Sequence, residues 1–546
     1  MKKFLLLHVV FLFFLTNILI GQNQNNFEIS KNLDIYSSLL RELNLNYVDE
    51  IDPASLNKIA IDAMLNDMDP YTVFIPESQI EDFQLMTTGE YGGIGSLIQQ
   101  QGDFVIISEP YEGFPAQKAG LIPGDQLIEI NGFSTKGKGT QEVSELLKGQ
   151  PGTAIHIKIL RHGTDAPMMK ELIREKIKID NIPYHTMLAE GIGYIRLSGF
   201  TQKAASEMKK IFMDMKEGQQ LTGLIIDLRG NGGGLLNEAV DITNLFVEKN
   251  EIVVTTKGKT KEQTTVHRTR LAPVDTEIPI VVLVNEASAS ASEIVAGALQ
   301  DFDRAVVIGQ RTFGKGLVQN VVPLSYNTQL KITVAKYYIP SGRCIQEIDY
   351  SDKHESRNGS RVADSLISTF KTRRGRKVFD YGGIMPDIVL EPYKFSSVSA
   401  NLYTENLIFE YANHFARKNQ VISEPDKFRI DDQTYDDFVK FVNSKDFTFR
   451  TESEEMIASL REIAREENYL EVVNEQINSL ESKLVDYKKN DIYKHRKEIE
   501  EMLKIEIVSR YYFQKGKIIA SLQNDPELKR AVSVIADKSY SKLLIP

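Results

Sequence analysis

The chain has 546 residues, of which 42% are hydrophobic and 26% charged, with a formal net charge of −10. That length exceeds what one hydrophobic core organises, so several domains are expected, and the composition excludes wholesale disorder or a fibrous architecture. The acidic balance offers no general attraction to phosphate backbones, and a single cysteine, Cys344, excludes an intramolecular disulfide framework and a cysteine zinc cluster.

The N-terminus opens with Met1-Lys2-Lys3, runs apolar from Phe4 to Phe14, and adds Leu15, Ile18, Leu19 and Ile20 before Gly21. This order predicts a secretory signal over 1–21, cleaved after Gly21. An uncleaved membrane anchor is the alternative, because about 17 to 25 apolar residues span a bilayer. Export to the periplasm or envelope of a bacterium is the expectation, consistent with an exported chain that lacks disulfides.

From 27 to about 85 a helical region is predicted: Ile29, Leu33, Tyr36, Leu40 and Leu43 recur at helical spacing, and Asp52-Pro53 opens a second helix. Between 86 and 179 the pattern turns to short strands, Phe104–Ile107, Gln126–Ile130 and Ile155–Ile159, with a short helix at Glu142–Leu147. From 180 to 395, nearly continuous apolar strands such as Gly223–Leu228 and Ile278–Val284 alternate with helices such as Glu293–Leu299, predicting a sheet covered on both faces. The region 396–546 is charged and helical. Ile463, Leu470, Ile477 and Leu484 repeat every seven residues, joined by Val473 and Leu480, and predict one helix with a seam against a partner helix.

Within the second region, the stretch Gly113-Phe-Pro-Ala-Gln-Lys-Ala-Gly-Leu-Ile-Pro-Gly-Asp-Gln-Leu-Ile-Glu-Ile-Asn-Gly132 resembles PDZ domains. Upstream, Tyr91-Gly-Gly-Ile-Gly-Ser96 sits where such domains keep a carboxylate-binding loop. The resemblance implies that amides of Gly93, Ile94 and Gly95 converge on a peptide's terminal carboxylate while the peptide adds as a strand at the sheet edge. A merely structural turn is the plain alternative for that glycine cluster.

Three segments of the third region carry candidate chemistry. Glu286-Ala-Ser-Ala-Ser-Ala-Ser-Glu293 hands a strand to a helix through very small side chains, which suits an exposed hydroxyl beside helix-opening amides, and equally suits simple capping. Gly309-Gln-Arg-Thr-Phe-Gly-Lys-Gly316 places Lys315 between glycines, with Gln319 four residues on, and lacks the full phosphate-loop spacing. Asp227-Leu-Arg-Gly-Asn-Gly-Gly-Gly234 ends an apolar strand in a glycine turn. None of the eight histidines stands in a metal-binding pair or a serine-protease histidine motif.

Together with Pro340-Ser-Gly-Arg-Cys-Ile-Gln346 and Gly382-Gly-Ile-Met-Pro-Asp387, these segments resemble the carboxyl-terminal processing peptidases over about Ile29 to Pro392. The resemblance implies a multidomain α/β protein: a crotonase-like (ClpP-type) protease core with an inserted PDZ domain, an N-terminal helical region and a C-terminal helical extension. It implies a serine endopeptidase using a Ser–Lys dyad without metal or cofactor. Ser290 would be nucleophile, Lys315 general base, Gln319 the residue orienting it, and Gly234 and Ala291 the oxyanion amides, with Gly233 the alternative to Gly234. Cys344 departs from the serine more usual in its motif but lies outside the dyad. The expected partners are protein or peptide substrates with accessible C-termini, no nucleic acid, and a homodimer or adaptor contact through the C-terminal helices. The alternative function is a catalytically silent PDZ scaffold or ligand-binding protein on the same fold.

Overall fold

The computed structural model describes residues 26–164, 166–218, 220–350, 360–361, 367–380, 382–488 and 490–546. The predicted signal segment, 1–21, lies outside them. One compact unit runs to Phe74 and takes in Leu330–Ile332; a second holds the remaining residues. In the first, helix α1 spans 26–46 and α2 spans Pro53–Asn66. Asp52 caps α2 by accepting from the Ala54 amide at 3.0 Å, and the Tyr36 hydroxyl donates to Asn57 at 2.8 Å to tie the two helices. Ile29 and Leu33 stay exposed despite their helical spacing.

In the second unit, β1 (Glu90–Gly93) leads into an antiparallel sheet of β2 (Ser96–Gln101), β3 (Phe104–Pro110), β4 (Gln126–Ile130), β5 (Ala154–Leu160) and β6 (Met168–Ile173), in that order. Helix α3 (Thr140–Leu147) lies between β4 and β5 in sequence and contributes Val143 and Leu147 to a core with Val105, Ile107, Leu127, Ile155 and Ile157. Strand β7 (Glu175–Lys178) returns to pair antiparallel with β1.

The largest core is built on a six-stranded sheet. Its strands are β8 (Tyr184–Met187), β9 (Ile192–Arg196), β10 (Gly223–Asp227), β11 (Ile280–Val284), β12 (Val306–Gly309) and, past β13 (Leu317–Pro323) and β14 (Gln329–Tyr338) in the chain, β15 (Ile388–Val389). All its pairings except β8 with β9 are parallel. Strands β10 and β11 are buried throughout, which explains why they read as unbroken apolar runs. Leu224, Ile226, Ile280 and Val282 face helices α4 (Ala204–Gly218), α5 (Leu236–Asn244) and α6 (Ala291–Asp301). Ile225, Val281 and Leu283 face the other way, onto residues near the end of the chain.

The remaining helices include α7 (Leu407–Lys418), α8 (Glu452–Glu466), α9 (Leu470–Lys488), α10 (Arg496–Leu522) and α11 (Pro526–Ala536). Helices α7 and α10 share a core of Leu407, Ile408, Tyr411, Leu503 and Ile507. The seven-residue seam does not lie on one helix. Asn468, with φ of 62°, breaks it into an antiparallel hairpin of α8 and α9, locked by Arg461 to Glu481 (2.7 Å) and Lys488 to Glu454 (2.8 Å). Ile477 is buried, while Ile463 and Leu480 are about half exposed. Leu528, Ala531, Val534 and Ile535 of α11, followed by Tyr540 and Leu544, cover the second face of the large sheet. Among the described residues no helix is long and apolar enough to cross a membrane.

Candidate active site

Strand β11 ends at Val284 and α6 begins at Ala291, so six residues must turn the chain from sheet to helix. Three serines at this junction divide the work. Ser288 is buried and donates to the Leu228 carbonyl at 2.9 Å; Ser292 is buried and donates to the Asn231 carbonyl at 2.8 Å. Both fasten the turn to the segment after β10. Ser290 between them is only partly buried and has φ of 55° and ψ of −110°, a left-handed strain that non-glycine residues seldom hold.

Glu293 holds that strained residue in place. Its side chain is fully buried, and its two oxygens accept from the Ser290 amide (2.8 Å), the Thr312 hydroxyl (2.6 Å), the Gly314 amide (2.8 Å) and the Lys315 amide (2.9 Å). Burial raises its pKa from the ordinary carboxylate range to about 7, against the opposing pull of those four donors. Tyr337 on β14 makes a second bridge. Its hydroxyl donates to the Lys315 carbonyl at 2.7 Å and lies 3.2 Å from the Ser290 carbonyl, and burial holds its pKa well above the usual tyrosine value, so it remains a donor. One carboxylate and one phenol thus join residues 290 and 315.

The two glycines around Lys315 are explained by what presses on them. A Cβ at Gly316 would lie 2.8 Å from the Gln346 backbone nitrogen, and one at Gly314 would lie 2.7 Å from Glu347 and 3.0 Å from the Gly383 nitrogen. The segments 340–346 and 382–387 therefore wrap the lysine loop. Gln346 accepts from the Gly316 amide at 2.7 Å, and Thr312 accepts from the Ile384 amide at 2.6 Å. Lys315 is partly buried. Gln319 lies on β13, half-buried, with its amide donating to Thr333 at 3.2 Å on β14.

The glycine turn after β10 completes the enclosure. Asn231 is fully buried: its side chain donates to the Leu197 carbonyl and accepts from the Gly233 amide, and its own carbonyl accepts from the Ala289 amide at 3.0 Å. A Cβ at Gly233 would sit 2.9 Å from the Ala291 nitrogen and 3.0 Å from the Ser290 Cβ, so no larger residue fits against the serine turn. The Gly233 amide is spent on Asn231. Phe200 bonds to the Gly233 carbonyl and the Leu235 amide, which leaves the Gly234 amide with no acceptor among the described residues.

Ser290, Ala291, Lys315 and Gly234 are thus gathered on elements around one turn, whereas Gly93, Ile94 and Gly95 belong to the smaller antiparallel domain. There, Ile94 and Gly95 give their carbonyls to the Ala116 and Tyr111 amides, while their own amides have no acceptor among the described residues. Sequence reasoning passed over Glu293, Asn231 and Tyr337. Only Glu293 carries a local signal, the Ser-x-x-Glu spacing at a helix start.

Comparison with known proteins agrees with this organisation. A model of Peptidase family S41 matches residues 191–355, a PDZ domain model matches 106–161, and a model described as probable PDZ-protease, C-terminal helical domain, matches 398–535. The carboxy-terminal-processing protease of Bartonella bacilliformis is 37% identical over 322 residues, covering 58% of this chain and 73% of that protein. A probable CtpA-like serine protease of Staphylococcus aureus strain COL is 34% identical over 340 residues, covering 62% of this chain and 66% of that one. The solved photosystem II D1 C-terminal processing protease aligns at 28% identity with a TM-score of 0.37, covering 65% of this chain and 86% of that one. The chain belongs to the carboxy-terminal-processing proteases, serine-type peptidases of family S41 that carry a PDZ domain.

Proposed function

We propose that this chain is an endopeptidase that cuts by a Ser290–Lys315 dyad and takes hold of substrates by their C-terminal tails. The single observation that carries this reading is the pair of bridges from Glu293 and Tyr337 to both residues 290 and 315. In the reaction, the Ser290 hydroxyl attacks the peptide carbonyl and the Lys315 amine takes its proton. Free lysine is charged below a pKa of about 10.4, so the amine must be kept neutral by desolvation when substrate closes the site. The tetrahedral oxyanion is received by the Gly234 and Ala291 amides. Lys315 then protonates the leaving amine, and water, activated by the same amine, hydrolyses the acyl-enzyme. Gln319 orients the lysine from β13.

In the smaller domain, the free amides of Ile94 and Gly95, with that of Gly93, receive the terminal carboxylate, and the peptide runs beside the edge strand β2. The core is read as crotonase-like with the PDZ domain inserted, the substrates as envelope proteins, and the location as the periplasm or envelope, set by residues 1–21. Exposed Met456, Leu460 and Val472 on the α8–α9 hairpin support self-association there, which sedimentation of a Met456→Glu, Val472→Glu variant tests. An unchanged mass contradicts it, and a monomeric wild type leaves the hairpin to an adaptor.

The test of the function is digestion of an unfolded protein bearing a free C-terminus beside its C-terminally amidated form. Cleavage is expected with the wild type, slower cleavage with the amidated substrate, and none with Ser290→Ala or Lys315→Ala. Equal turnover by all three enzymes would remove the dyad; indifference to amidation would remove the carboxylate loop.

A further inference from the structure

Arg229 stands two residues past the end of β10, at the start of the turn that carries Gly233 and Gly234, and its guanidinium meets three carboxylates. Asp227 accepts from Nε at 2.9 Å and from Nη2 at 2.6 Å, Asp525 lies 2.7 Å from Nη2, and Glu527 accepts from Nη1 at 2.6 Å. Asp227 is tied also to the Tyr194 hydroxyl at 2.7 Å. The other two acids arrive from the start of α11, roughly three hundred residues downstream. Asp525 also caps α11, accepting from the Glu527 and Leu528 amides at 2.9 Å, whereas the Glu527 carboxylate takes no part in that cap and the helix is docked on the sheet by buried Leu528, Ala531, Val534 and Ile535.

Glu527 also reaches the other loop. Its second oxygen accepts from the side chain of Gln310, the residue that follows β12 and stands five before Lys315. Gln310 is anchored by its amide to the Val284 carbonyl at 3.1 Å and by its side chain to the Leu390 carbonyl at 3.1 Å. The Gly230 amide, next to Arg229, donates to Asn285 at 2.9 Å. One carboxylate at the start of α11 therefore touches the roots of both the glycine turn and the lysine loop.

We infer that Glu527, assisted by Asp525, is a positioning latch that fixes the glycine turn and the lysine loop relative to each other, so that the C-terminal segment completes the active site. The inference rests on the proposed function for its catalytic consequence but not for its structural one. The full-length chain is compared with Glu527→Gln, with the Asp525→Asn, Glu527→Gln double variant, and with Val534→Ala, which loosens α11 without touching the ion cluster. The latch predicts backbone amide exchange over 229–235 and 310–316 about fivefold faster in both latch variants. It also predicts a kcat about tenfold lower at unchanged KM. Val534→Ala lowers Tm yet keeps both segments and kcat at wild-type values. Wild-type exchange in the double variant overturns the latch whether or not the chain cleaves anything. Equal kcat loss in Val534→Ala overturns it too, by assigning the effect to general loosening. A wild type without turnover whose latch variants still exchange faster in those two segments would retire the dyad and leave the latch standing.

Discussion

Glu293 sits under two opposing demands: burial favours its neutral form, while four donors facing its two oxygens require a full set of acceptor lone pairs. In Glu293→Gln the new NH2 would face either the Ser290 and Lys315 amides or the Thr312 hydroxyl and Gly314 amide, so one pair of donors loses its acceptor. We expect kcat to fall about a hundredfold with KM little changed, measured on a peptide substrate. The pKa of about 7 also sets a direction with pH. Because the folded-state value is raised, this group's contribution to stability is full below about 4.5 and is lost as pH rises through about 7, on the order of 3 kcal/mol in all. Activity runs the other way, since protonation removes an acceptor, so urea midpoints and kcat should shift in opposite senses between pH 6 and 8 (roughly one unit either side of that pKa). Glu293→Gln should abolish the stability trend. At this scale the serine run and the glycine-flanked lysine were legible because small residues beside a hydroxyl or amine are local patterns. The separate jobs of Ser288 and Ser292 were not, because their acceptors, Leu228 and Asn231, lie about sixty residues away.

Among the elements, the lysine loop is held by what surrounds it more than by its own conformation. Gly316→Ala would place a methyl 2.8 Å from the Gln346 backbone nitrogen. We expect at least a tenfold loss of kcat with a destabilisation of about 1–3 kcal/mol, read by denaturant unfolding; wild-type activity would show that the loop has room to shift. Strands β10 and β11 were legible as apolar runs because both faces are covered. The seam across Ile463 to Leu484 misled for a physical reason: periodicity does not register a single left-handed residue, and Asn468 reverses the chain in the middle of the repeat. Ile477 of the second arm is buried, while Ile463 of the first is about half exposed.

For the whole molecule, the C-terminal helices reach both of the other parts of the larger unit. Gln101 of β2 donates to Glu410 of α7 at 3.1 Å, and α11 with Tyr540 and Leu544 seals the second face of the peptidase sheet. No local pattern in the sequence announces that the last twenty residues return to a sheet whose first strands lie three hundred residues earlier; the amphipathic face of α11 fits any apolar surface. A chain ending at Gln523 would expose Ile225, Val281 and Leu283. It should lose on the order of 5–10 kcal/mol, a large part of a domain's stability, and appear in thermal unfolding as an early transition. Whether residues 290 and 315 act as one unit is read by mass spectrometry after exposure to a serine-directed fluorophosphonate. One adduct is expected, on Ser290, formed by the wild type and lost in Lys315→Ala while Ser288 and Ser292 stay unmodified. An adduct on either of those serines, or labelling of Ser290 at the wild-type rate without the lysine, would contradict it.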